Sequence, residues 1–125
     1  MRYNPKKAPD PKKWNTAGEM ERLVAVERSH KKNMPKLRLH ASIHMIVENQ
    51  VALGDETPVQ ETLARLQAEG LERHDAVHAI GSILAEHMYD IMKDGANDDV
   101  NKKYFSRIKE LTAKNWRAQA DEGNL

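Results

Sequence analysis

Glycine or proline stands at positions 35, 54, 58, 70 and 95, and the stretches between them are long enough for helices. Within those stretches apolar residues recur every three or four positions, as in Met20, Leu23 and Val24, or Val100, Tyr104, Ile108 and Leu111. That is the period of a helix with one buried face. Valine and isoleucine never form an alternating run, and aromatic residues are 5% of the chain, both of which disfavour sheet. The expected fold class is all-α, with about five helices in a bundle or irregular helical array and an extended N-terminal arm.

Residues 1–15 hold three prolines and four lysines, so they read as an extended basic arm, with Tyr3 and Trp14 available to anchor it. Residues 16–118 read as a single helical domain and 119–125 as a frayed tail. Thr16 and Glu19 have capping-box spacing at the start of the first helix, which should end near Lys32–Asn33. Pro35 suits the first position of a second helix reaching Leu53, with Gly54 as its stop. Thr57-Pro58 opens a third helix ending at Gly70. The fourth runs from Glu72 to Asp94, and Asn97 or Asp98 caps the fifth.

The 125 residues suffice for one modest core. There is no cysteine, which excludes disulfides and thiolate metal ligands. The first residues carry no apolar signal-peptide core, and no apolar run approaches a membrane span, so a cytoplasmic protein is expected. Net charge is +1 but unevenly spread: residues 1–38 carry +7, residues 39–100 carry −9 and residues 101–125 carry +3. The basic arm and the acidic middle either neutralise each other within the fold, the simpler reading, or favour self-association as a homodimer or an anionic partner. The acidic start of the fourth helix (Glu72, Asp75) argues against insertion into a DNA groove.

Four of the six histidines form two i,i+4 pairs, His40/His44 and His74/His78, a spacing that puts both rings on one face. On the second helix His44 lies about 40° and Glu48 about 80° from His40, with Val47 and Val51 within about 20° of it. On the fourth helix the histidine face is bordered by Gly81 and Ala85, small enough to admit a close neighbour. A third helix of about twelve residues retraces about 18 Å, which would bring the two pairs to one level. His40, His44, Glu48, His74 and His78 are therefore the candidate metal ligands, for zinc or iron first and nickel or manganese next. Asp75 and Gln50 are candidates to hold a histidine tautomer from behind. The lone histidines His30 and His87 are given no site role.

Other motifs are weaker. His74-Asp75-Ala76-Val77-His78 has zincin spacing, but with Asp for the Glu base and no further ligand. His74-Asp75 with Asp90 or Asp94 would suit a metal-dependent phosphohydrolase in a longer chain. Glu27 and His30, with Glu48 and Glu86, have the spacing of a di-iron bundle. The residues thus leave three readings open: a small metal-binding protein, a non-enzymatic interaction module with a buried histidine network, and a metal-dependent hydrolase. No catalytic residue and no substrate is indicated.

The stretch from residue 39 to residue 92 resembles an uncharacterised bacterial family, the domain-of-unknown-function family eighteen-forty-one. The resemblance rests on His40, His44, Glu48 and Gln50, then Pro58 and Arg65-Leu66, then His74, Ala76, His78, Ala79, Leu84 and Glu86. Gly81-Ser82 departs from it, standing where the family has a bulkier pair. The resemblance implies that this residue set belongs together and implies no reaction.

Overall fold

The structure, a computed structural model, describes the backbone of residues 1–123 and the side chains of residues 1–119. Those residues form seven α-helices and a single 3₁₀ turn: α1 (Pro11–Thr16), α2 (Glu19–Arg28), α3 (Leu37–Ala52), the turn Gly54–Glu56, α4 (Val59–Ala68), α5 (Arg73–Asp94), α6 (Asp98–Glu110) and α7 (Ala113–Gly123). The all-α expectation holds, with more helices than the expected five. Among the described residues no helix is long and apolar enough to cross a membrane.

The extra helices lie at the two ends, where side-chain capping decides the outcome. The arm is not extended throughout. Asp10 accepts a hydrogen bond from the Lys12 amide at 3.0 Å, and Pro11 occupies the first turn, so an Asp-Pro cap nucleates α1. Thr16 closes α1 rather than opening α2: its hydroxyl donates to the Lys12 carbonyl at 2.9 Å, and Gly18 takes the cap position of α2. At the other end Leu111 turns extended. Glu69 then accepts from the Ala113 amide at 2.8 Å, and Thr112 from the Asn115 amide at 3.0 Å. These bonds satisfy the first turn of α7, which runs through most of the segment expected to fray. Residues 124 and 125 of that segment lie outside the described residues.

α2 stops at Arg28, short of the expected Lys32–Asn33, because side chains take over its last carbonyls. The Ser29 hydroxyl and the His30 ring both reach the Val26 carbonyl, at 2.6 and 2.9 Å. Pro35 does not start α3. It sits in a turn with Lys36 at φ 53°, and the helix begins at Leu37. The middle of the chain follows the sequence reading closely: Gly54 and Gly95 stop α3 and α5 with φ of 67° and 82°, where a side chain would be strained. Asn97 caps α6 through the Val100 amide.

α3 packs against α1, α2, α4 and α5, and α5 packs against α3, α4 and α6. The two helices divide the core. On one side Val47, Val51, Leu63, Leu66, Val77, Ile80, Leu84, Tyr104 and Ile108 are buried together. On the other, Ala41 and Met45 of α3 meet Tyr3, Trp14, Leu23 and Val26. His44 and Glu48 lie between these two faces of α3, at about 40° and 80° around its axis, and both are buried.

Trp14 carries the attachment of the N-terminal segment. It is 1% exposed, and its indole N–H donates to Asn49 Oδ1 at 2.8 Å. Trp14→Ala should cost about 3–5 kcal/mol, measured as a shift in the urea unfolding midpoint. A loss below about 1 kcal/mol would mean that the segment is not part of the cooperative unit.

Candidate metal centre

Five histidines meet where the end of α2, the first half of α3 and the first half of α5 come together. His30, just past α2, joins the two pairs foreseen from spacing. One ring nitrogen from each of His30, His44, His74 and His78 lies within 4.8 Å of the others. The His44 ring centroid is 5.2 Å from those of His74, His78 and His30. The sequence reading sets His30 aside, and the structure brings its ring beside the two pairs. The same bond to the Val26 carbonyl that caps α2 turns its ring inward. His87 is elsewhere, stacked on Tyr104 at 4.4 Å.

The hydrogen bonds assign several protons. The His30 Nδ1–H donates to the Val26 carbonyl, so the His30 lone pair is on Nε2. The Nε2 atoms of His40 and His30 are 3.1 Å apart, which requires one hydrogen between them, and His40 supplies it. His40 thus stands beside the other four as a donor to one of them. The Nε2 atoms of His44, His74 and His78 are buried without a hydrogen-bond partner among the described residues.

Glu48 is placed differently from the sequence expectation. Its carboxylate forms a fork with Arg73, Nη1 to Oε2 at 2.7 Å and Nη2 to Oε1 at 2.7 Å, and it also accepts from the Tyr3 hydroxyl. Both oxygens are engaged, and Glu48 is not among the clustered ligand atoms. Its link to the cluster passes through Tyr3, whose oxygen is 2.9 Å from His44 Nδ1. Arg73 also donates to the Pro5 carbonyl at 3.1 Å, so it grips the arm as well. Gln50 accepts from Tyr104 and does not back a histidine. The di-iron candidates are spent in ion pairs, Glu27 with Arg38 at 2.9 Å and Glu86 with Arg107 at 3.4 Å, and Asp90 also pairs with Arg107.

α3 and α5 run in opposite directions here: Glu48 meets Arg73, His44 meets His74 and His78, and His40 meets His78. Gly81 sets how closely they approach. A Cβ there would lie 3.1 Å from Ile43 Cγ2, which accounts for a small residue at this place. Beside the cluster the two helices leave a cleft of about 230 Å³, lined by His40, His78, Val77 and Ala85 among others.

Burial, reinforced by the neighbouring imidazoles, pushes His44 down to about 2 and His78 down to about 4 from the ordinary 6.5. Burial and His30 also lower His40 and His74. His40, His44, His74 and His78 are thereby held neutral at pH 7, the state in which imidazole binds metals. Below about 6.5 the unfolded chain takes up protons that the folded chain refuses, so stability falls as pH drops toward the folded values. For chelator-treated protein the urea midpoint should decrease between about pH 7.5 and 5, and His78→Asn should flatten that slope. A midpoint constant over that range would contradict the burial of neutral imidazoles.

The Glu48–Arg73 pair generates a second expectation. Arg73→Met would leave a buried carboxylate without a counter-charge, at a cost of about 3–5 kcal/mol. Thermal and urea unfolding measure it. A cost near zero would mean that Glu48 gains access to water when Arg73 is removed.

Neither the curated proteins nor the solved structures contain a match to the chain. The sequence profile of a domain of unknown function, DUF1841, matches residues 15–110. That span contains all five clustered histidines, Glu48 and Arg73, and it excludes Tyr3. With 96 of its 125 residues matched, the chain belongs to the DUF1841 family.

Proposed function

We propose that this protein binds one divalent transition-metal ion, zinc or iron, through His44, His74 and His78, with His30 as the fourth ligand once its Nε2 exchanges the hydrogen bond from His40 for the ion. The observation that carries the reading is that the buried Nε2 atoms of His44, His74 and His78 have no hydrogen-bond partner among the described residues, in rings that each bring a nitrogen within 4.8 Å of the others. A buried acceptor left unsatisfied costs about 1–3 kcal/mol. Natural folds rarely carry several in one place without a ligand to satisfy them. Nitrogens around a tetrahedral zinc sit at about 2.0–2.1 Å from the ion, hence about 3.3 Å from each other. Side-chain rotations of about 1 Å close a group already within 4.8 Å to that spacing.

Four imidazoles fill a tetrahedral shell and leave no position for water, which favours a closed, structural centre over a hydrolase. The ligands come from the end of α2, from α3 and from α5, so the ion would fasten α2 to the central pair of helices. Its binding free energy would add directly to folding stability.

Untagged protein purified without chelating resin should contain about one equivalent of metal by elemental mass spectrometry. His44→Ala/His78→Ala should lose it, whereas His87→Ala should retain it. Chelation should lower the melting temperature of the wild type and leave the double variant unchanged. Folded wild-type protein that is metal-free and takes up neither added Zn²⁺ nor Fe²⁺ would reduce the histidines to a polar core network and overturn the proposal.

A further inference from the structure

We infer that Tyr3, on the N-terminal arm, is a positioning residue of the metal centre: it fixes His44 in the tautomer that aims a lone pair at the ion, and so couples metal affinity to docking of the arm. This rests on the metal-binding reading above, but the proton inventory behind it stands separately.

Glu48 is 1% exposed and held by both terminal nitrogens of Arg73, so it is ionised and has no proton to give. The single hydroxyl hydrogen of Tyr3 therefore goes to Glu48. His44 Nδ1 lies 2.9 Å from the Tyr3 oxygen. The hydrogen in that contact must be the imidazole's own. His44 is thus protonated on Nδ1, which leaves its lone pair on the buried Nε2, where it has no partner among the described residues. The resulting chain runs from His44 to Tyr3 to Glu48, with each group donating to the next. A negative charge at the far end increases the basicity of the ligand nitrogen, as carboxylates behind metal-bound histidines do. The Val26 carbonyl does the corresponding work for His30.

Tyr3 lies outside the matched family span, and two contacts hold it in place. Arg73 grips the Pro5 carbonyl with the same Nη1 that binds Glu48. The Tyr3 ring packs 5.8 Å from Trp14 and 5.5 Å from His44 between centroids. An arm that contributes no ligand thereby becomes a determinant of the site.

Tyr3→Phe keeps the ring and removes the oxygen. The first readout is two-dimensional ¹H–¹⁵N correlation of the imidazoles in metal-free protein. Wild-type His44 should show the Nδ1–H tautomer, and the variant should lose that signature. The second is Zn²⁺ affinity by competition with a chromophoric chelator, expected to fall about 10–100-fold in the variant. A wild-type His44 protonated on Nε2 overturns the inference, and this spectrum decides the matter even if Tyr3→Phe fails to fold. Equal Zn²⁺ affinity in wild type and variant also overturns it, with the metal centre left standing. Absence of Zn²⁺ binding by the wild type overturns the metal reading and the role of Tyr3 in it together.

Discussion

A carboxylate that is 1% exposed cannot stand in a helical core by itself, and the ion pair between Glu48 and Arg73 is the condition on which the rest of this fold depends. Glu48 follows His44 by one turn of α3, and Arg73 immediately precedes His74 on α5. Pairing the charges therefore sets the register of the two helices, and that register puts His44 opposite His74 and His78. The same guanidinium takes the Pro5 carbonyl, and the same carboxylate takes the Tyr3 hydroxyl. One buried pair thus aligns the central helices, docks the arm and prepares a histidine. The fork geometry matters, because a lysine at position 73 would neutralise Glu48 without engaging both oxygens.

What the sequence disclosed and what it hid divide along physical lines. The two histidine pairs were legible because i,i+4 spacing is a property of one helix and needs no tertiary knowledge. The boundaries set by Gly54, Gly95 and Asn97 were legible for the same reason. His30 was missed because it reaches the cluster from outside any helix. Its orientation depends on a hydrogen bond to Val26 in the last turn of α2, and the one available signal was its position beside Ser29 at a helix end. Glu48 was read as a ligand from its place on the histidine stripe. Angular position on α3 was right, but a residue of α5 intercepts the carboxylate, and no periodicity in α3 reports that. The helix in the arm was hidden by its prolines, although Asp10-Pro11 is itself a start signal.

Packing five imidazoles together, His44 buried and the other four half-buried, runs against ordinary core chemistry, and the hydrogen-bond inventory is informative. Each ring brings one donor and one acceptor when neutral. The donors of His30, His40 and His44 go to the Val26 carbonyl, to His30 and to Tyr3. The Nε2 atoms of His44, His74 and His78 have no partner among the described residues; that of His44 is a lone pair, and the His74 and His78 rings offer theirs when the proton is on Nδ1. A surplus of buried donors would call for an anion or a carbonyl; a surplus of convergent lone pairs calls for a cation. Protons are the nearest source of positive charge, but burial and mutual repulsion push His44 and His78 down to about 2 and 4. A proton satisfies one nitrogen and charges its neighbours' surroundings, whereas a metal ion satisfies several lone pairs at once. Removing the surplus by mutation, for example His74→Phe with His78→Leu, should therefore make the chelator-treated protein more stable while abolishing metal uptake. Such opposite movement of stability and binding, read by urea unfolding and elemental mass spectrometry on the same variant, is the mark of a site held in place for a ligand. A variant that loses stability with no change in metal content would show that the rings are there for packing.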